Sequence, residues 1–157
     1  MKRLIVAGAL ALAATAAQAA DGTVDFNGVV EPSCAFTDAK PGTLTLNNAG
    51  NVLDSTGNSA QITAAVSGGS FNVFQNTQQP VAFANNVPAT FDVTWGKGSA
   101  RGQEPIGVAS GKLTTIFVDL KATYTPQDAR VTFPTSNNYK ATVTLTCEPN
   151  PTAAPGS

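Results

Sequence analysis

The sequence contains no histidine. With it go the commonest general base at neutral pH, the Ser–His and Cys–His nucleophile pairs, and the commonest transition-metal ligand. Charge is scarce as well, at 12% of residues. Beyond residue 3 the cations are Lys40, Lys97, Arg101, Lys112, Lys121, Arg130 and Lys140, standing singly along the chain, so no basic patch for nucleic acid or an anionic membrane can be read. Two cysteines, Cys34 and Cys147, together with scattered carboxylates fall short of a zinc set, and the closely spaced acids of a calcium loop do not occur. No metal or other cofactor is expected. The stretch Gly96-Lys97-Gly98-Ser99 lacks the spacing of a phosphate-binding loop and reads as a turn. Paired carboxylates of a glycosidase would have to come from Asp25, Glu31, Asp38, Asp54, Asp92, Glu104, Asp119 or Asp128. These read as solvated or turn acids, no catalytic residue is assigned, and the chain is expected to be non-enzymatic.

Long apolar runs are missing too, apart from one at the start. Lys2 and Arg3 precede an apolar stretch from Leu4 to Ala16, which ends in Ala17, Gln18 and Ala19. A basic start, a short apolar stretch and a small-residue end are the marks of a bacterial export signal, assigned to residues 1–20. The stretch is shorter than the ~20 residues that span a bilayer. Removing Lys2 and Arg3 with the leader leaves seven cations against ten acids, a net charge of −3. One domain is expected over residues 21–148, followed by a disordered Pro-rich tail at 149–157. Export places Cys34 and Cys147 where disulfides persist. One bridge between them would close a loop of more than a hundred residues and stabilise the fold by ~4–5 kcal/mol in the chain-entropy model. Two free thiols, or a bridge between molecules, are the alternatives.

What is present is β-forming sequence. Val, Phe, Ile, Leu and Thr alternate with polar residues and are interrupted by Gly, Asn and Pro, with no competing helical period. The clearest strand is 139–147, where Tyr139, Ala141, Val143, Leu145 and Cys147 share one face and Lys140, Thr142, Thr144 and Thr146 the other. Residues 113–124 repeat the pattern, with Ile116, Val118, Leu120, Ala122 and Tyr124 inward and Phe117 as the exception on the polar face. Further strands are expected at 23–30, 43–46, 61–66, 71–74, 81–84, 91–95 and 129–132. Turns are expected at 47–51, 67–70, 96–102 and 136–138, where Gly and Asn tolerate positive φ. Seven or more short strands in one domain suit a β-sandwich. Trp95 alternates with Phe91 and Val93 and reads as core rather than as a sugar platform.

The stretch Gly22-Thr23-Val24-Asp25-Phe26-Asn27-Gly28-Val29-Val30-Glu31-Pro32-Ser33-Cys34-Ala35-Phe36 resembles the first strand of chaperone–usher fimbrial subunits, an alternating strand with an internal Gly leading into the first Cys. Leu120 to Tyr124 resembles the family's penultimate strand, and Asn138 to Leu145 its final alternating strand. The resemblance implies an immunoglobulin-like, Greek-key sandwich that lacks one strand. Its groove would be filled by a periplasmic chaperone and then by an extension of another pilin-like subunit, delivered through an outer-membrane usher. Tyr139, Ala141, Val143 and Leu145 would border that groove and form the chaperone-pairing strand. Val24, Phe26, Gly28 and Val30 project to one side, either as a donated strand, as in the similar spore-coat-U-like secreted subunits, or as an ordinary first strand. The sequence differs from the family in its bridge, because residues 60–73 hold no cysteine.

A structural subunit of an extracellular, surface fimbria is therefore the expected function, with passage through the periplasm. A possible host or surface ligand is left unspecified. The rival is a self-contained secreted sandwich that binds carbohydrate or protein through its end loops.

Overall fold

A computed structural model describes residues 28, 31–126, 129–135 and 139–150. The leader, Val24, Asp25, Phe26, Val30, Asp128, the turn at 136–138 and residues 151–157 lie outside the described residues, and Gly28 is exposed. The fold is all-β. Among the described residues nine strands form: β1 (Ser33–Lys40), β2 (Thr45–Leu46), β3 (Val52–Asp54), β4 (Ala60–Ser67), β5 (Phe71–Gln75), β6 (Ala89–Gly96), β7 (Ile106–Val108), β8 (Leu113–Tyr124) and β9 (Leu145–Pro149).

β8 organises the larger sheet because its twelve residues are long enough to serve three partners. On one side it pairs first with β4, from Ala65↔Leu113 to Ala60↔Val118, and then with β3, from Asp54↔Lys121 to Val52↔Thr123. On the other side it pairs with β6, from Gly96↔Phe117 to Ala89↔Tyr124. β1 extends the sheet beyond β4, and β2 extends it beyond β3. Where β8 changes partner, the buried Ser55 fills the gap. Its Oγ accepts from the Leu120 N–H at 2.8 Å, and its own N–H donates to the Leu120 carbonyl at 3.0 Å. The ladder thus stays satisfied in an apolar surrounding, where an unpaired backbone group costs about 1–3 kcal/mol.

The smaller sheet has the order β7-β5-β9. Its inward Phe71, Val73 and Val108 pack against Ala64, Val66, Val93, Trp95, Ile116, Val118 and Leu120 of the larger sheet, giving a sandwich-like core. A second cluster, Leu53, Phe83, Ala122, Tyr124 and Phe133, closes one end. Fully burying residues such as Phe83, Ile116, Val73 and Val108 stabilises the fold by roughly 1.5–3 kcal/mol each. Trp95 stands in this core as the alternation requires. Phe117, on the outer face, is half-buried beneath the Arg101 guanidinium, which lies 4.8 Å from its ring centre.

Several expected elements differ. Residues 129–132 form no strand: all four are exposed, Val131 to 69%, and none of them pairs in a ladder. Residues 81–84 contribute one bridge, Phe83↔Ala141, because the chain turns at residues 76–80 before returning to the sheet edge. The final strand is split. Residues 139–144 are extended and alternate in burial, but the continuous ladder with β5 begins at Leu145. It runs on to Pro149, opposite Phe71, so the residue expected to open a disordered tail closes the sheet instead. β1, β3 and β7 are additional to the expected strands.

Candidate functional site: a cleft between two unpaired edges

The two sheets are tied at one edge and part from each other beyond it. Cys34 at the start of β1 bonds to Cys147 in β9, with their Cα atoms 6.3 Å apart. β1 is the last strand of the larger sheet, and β9 the last of the smaller. Moving away from the disulfide, β1 proceeds to Lys40 while the other rim recedes from Leu145 to Tyr139, and a cavity of about 720 Å³ lies between them. Ala39, Lys40, Pro41 and Gly42 form one rim, and Tyr139 to Val143 with Leu145 form the other. Ile62, Val118 and Leu120 supply the apolar floor. A second cavity of about 610 Å³ continues the cleft past Gly42, Leu44 and Tyr139, towards Leu46, Leu53 and Phe133.

The alternating residues singled out in the sequence, Tyr139, Ala141, Val143 and Leu145, all line the first cavity. Each is half-buried, while Lys140, Thr142 and Thr144 between them are exposed. Backbone direction follows from the same alternation. The Lys140 carbonyl accepts from the Ala84 N–H and the Thr144 carbonyl from the Asn76 N–H, each at 2.8 Å. Residues of even number therefore direct their main-chain groups towards the smaller sheet. In an extended chain those of odd number direct theirs the opposite way. Ala141 and Val143 thus offer side chains to the cavity and N–H and C=O groups to the free edge beside it.

The facing rim carries its own irregularity. Asp38 has φ of 53°, and the register of β1 shifts by one residue between Thr37↔Thr63 and Lys40↔Gln61. This bulge ends the regular pairing surface of β1. Tyr139 sits where the two cavities meet. Its hydroxyl donates to the Pro134 carbonyl, its ring lies edge-on to Phe83 and Phe133 at 5.2 Å, and burial raises its pKa above the ordinary 10.0. Lys40 and Lys140 are the charged residues lining the first cavity, and among the described residues no carboxylate lines either one.

Elsewhere three of the acids have local partners. Asp119 holds Arg101 at 2.8 Å, Asp54 accepts from Thr56, and Asp92 from Gln103. Among the described residues no three His, Cys, Asp or Glu side chains gather as a metal site. Sequence reasoning did not find Ser55 or the 39–44 rim. Ser55 looks like any loop serine, and the rim is a Lys-Pro-Gly connection without alternation. No family model, no curated protein and no solved structure matches the chain.

Proposed function

We propose that this chain is a non-catalytic structural subunit of an exported, surface-bound fibre of the chaperone–usher fimbrial kind, joined to its neighbours by strand complementation. The observation that carries the reading is a strand edge, 139–145, that no strand among the described residues covers, bordering an apolar cavity that the same residues line. An incoming extended segment would add main-chain hydrogen bonds at Ala141 and Val143 and place alternate side chains over Ile62, Val118 and Leu120. Strand order supports it in part. An immunoglobulin-type sandwich sets A-B-E-D against C-F-G, and β1-β4-β8-β6 and β5-β9 can be laid on that order with the last position open, while β2, β3 and β7 are additional to it. A periplasmic chaperone would cover the cleft until a neighbouring subunit does, and an outer-membrane usher would deliver the assembled chain.

The rival, a self-contained binding module, draws on the Cys34–Cys147 bond, which joins first strand to last without any donor. Gels of the cell-surface fraction under non-reducing conditions separate the two. A ladder of multiples that collapses to monomer only on strong heating is expected. Monomer in unheated and heated lanes alike would favour the rival. Val143→Asp, which puts a charge over the apolar floor, should abolish the ladder, while Thr142→Asp on the exposed face should leave it in place.

A further inference from the structure

The cleft carries a charge pattern as well as an apolar floor. Lys40 faces Gln61 after the β1 bulge, and Gln61 lies on the outer face of β4, opposite to Ile62 of the floor. The extra residue in β1 therefore keeps Lys40 on the outside. Lys140 lies outside by its alternation with Tyr139 and Ala141. The two lysines stand on opposite rims of one cavity, both exposed, and the Arg101–Asp119 ion pair is elsewhere. A strand lying between the rims turns every second residue outward, and the outward residue level with the lysines is flanked by two ammonium groups. An acid there neutralises both, whereas a basic residue adds a third like charge.

Residues 23–30 of the chain have the matching composition. Along the sequence Val24, Phe26, Gly28 and Val30 alternate with Asp25, Asn27 and Val29, and no Lys or Arg occurs between Leu4 and Ala39. The disulfide argues that this segment comes from another molecule. Adjacent strands lie ~4.8 Å apart, so inserting a third between two others requires roughly 9.6 Å. Cys34 and Cys147 are 6.3 Å apart, which shuts that end of the cleft. Each chain's own segment joins β1 at this shut end, where the Glu31 carbonyl packs so close to Gly68 that a Cβ there would lie 2.8 Å from it. A strand enters from the Gly42 and Tyr139 end instead.

Building on the strand-accepting reading, with residues 23–30 of a second copy as the donor that it implies, we propose that Lys40 and Lys140 select the incoming strand by its charge, with Asp25 between the two lysines. The experiment is the concentration dependence of self-association of the mature chain, by sedimentation, for wild type, Asp25→Lys, the pair Lys40→Glu with Lys140→Glu, and all three changes together. Both partial variants should associate roughly tenfold more weakly, as expected for two exposed ion pairs. The triple variant should return close to wild type, and salt should weaken wild type more than the partial variants. The altered lysines are exposed, so unchanged circular dichroism is expected and controls for folding. Equal association of all four proteins would overturn the charge selection and leave strand acceptance standing. Wild type that remains monomeric but takes up an added alternating apolar peptide would overturn the second copy as donor. A monomer that takes up no such peptide would sink the strand-accepting reading itself.

Discussion

The edge of β6 and the edge at residues 139–145 are both long, and they are finished in opposite ways. Along β6 the loop that follows folds back as a cover. Trp95 exchanges both main-chain bonds with Gly102, at 2.8 and 3.0 Å, and Gln103 reaches the Val93 carbonyl and Asp92. Arg101 anchors that cover through Asp119 at 2.8 Å, through the Gly98 carbonyl, and through the Phe117 ring. At 139–145 the main-chain bonds run to Ala84 and Asn76 on the inner side, and the outer side faces a cavity. Exposed edges are aggregation hazards that proteins ordinarily cover, twist or charge. An edge covered by its own loop beside one that no described residue covers is the contrast that the proposed strand acceptance rests on.

The strongest way to break this comparison is to remove the covalent tie beside the open edge. Replacing Cys34 and Cys147 by alanine should cost ~4–5 kcal/mol of stability, since the bond closes a loop of 113 residues. The denaturation midpoint of the double variant against the oxidised protein measures it. A loss below about 1 kcal/mol would mean that the core alone holds the rims together, and the disulfide would no longer define the shut end of the cleft.

Opening the closed edge should convert it into a second sticky one. A Cβ on Gly96 would lie 1.8 Å from the Ala100 carbonyl oxygen, so Gly96→Ala must push the cover away. The expected loss is about 1–3 kcal/mol, as for other overpacked sites. Arg101→Ala, which leaves the largely buried Asp119 without its cation, should cost a similar amount. Both variants should associate at concentrations where wild type does not, through β6, and should do so even when Val143→Asp has disabled the cleft. If the added association vanishes with Val143→Asp, the β6 cover is not what keeps that edge single.

Much of the sandwich was legible because burial on one face forces a period of two. Residues 113–124 were bounded correctly for that reason, and Tyr139, Ala141, Val143 and Leu145 were assigned to one face that the structure places along one cavity. Legibility failed where a strand is recognised by its neighbours instead. β3 and β7 have three residues each, too few for a period, and form because β8 and β5 offer them an edge. β1 was missed because Asp38 and Lys40 interrupt its pattern through the bulge. Residues 129–132 read as a strand from composition alone, and none of them enters a ladder. The cleft was legible on one rim only. Its other rim, Ala39–Gly42, is set by the bulge and by the Thr43 N–H bond to the Asn58 carbonyl at 2.9 Å, neither of which leaves a periodic trace.

The smallest expected effects are those of pH, and they too separate the closed part of the sheet from the open part. Asp54, at the end of β3, accepts from the Thr56 N–H at 2.8 Å and the Thr56 hydroxyl at 2.7 Å, bonds that hold its carboxyl below the ordinary 3.8. A lowered folded value means stability present above the unfolded pKa and lost as pH falls through the folded one. Thr56→Val, which keeps only the main-chain bond, should shrink that acid loss. Tyr139 behaves in the opposite sense. Burial raises its pKa, so its contribution is complete below about pH 10 and is lost as pH rises through the folded value. A strand filling the cleft covers Tyr139 further and should move its ionisation later still. Phenolate absorbance followed against pH, with Tyr139→Phe to identify the signal, reads this directly. A late-ionising tyrosine that shifts upward when an alternating apolar peptide is added places the peptide in the cleft, whereas a shift that persists in Tyr139→Phe assigns the effect to Tyr124 and the peptide to some other face.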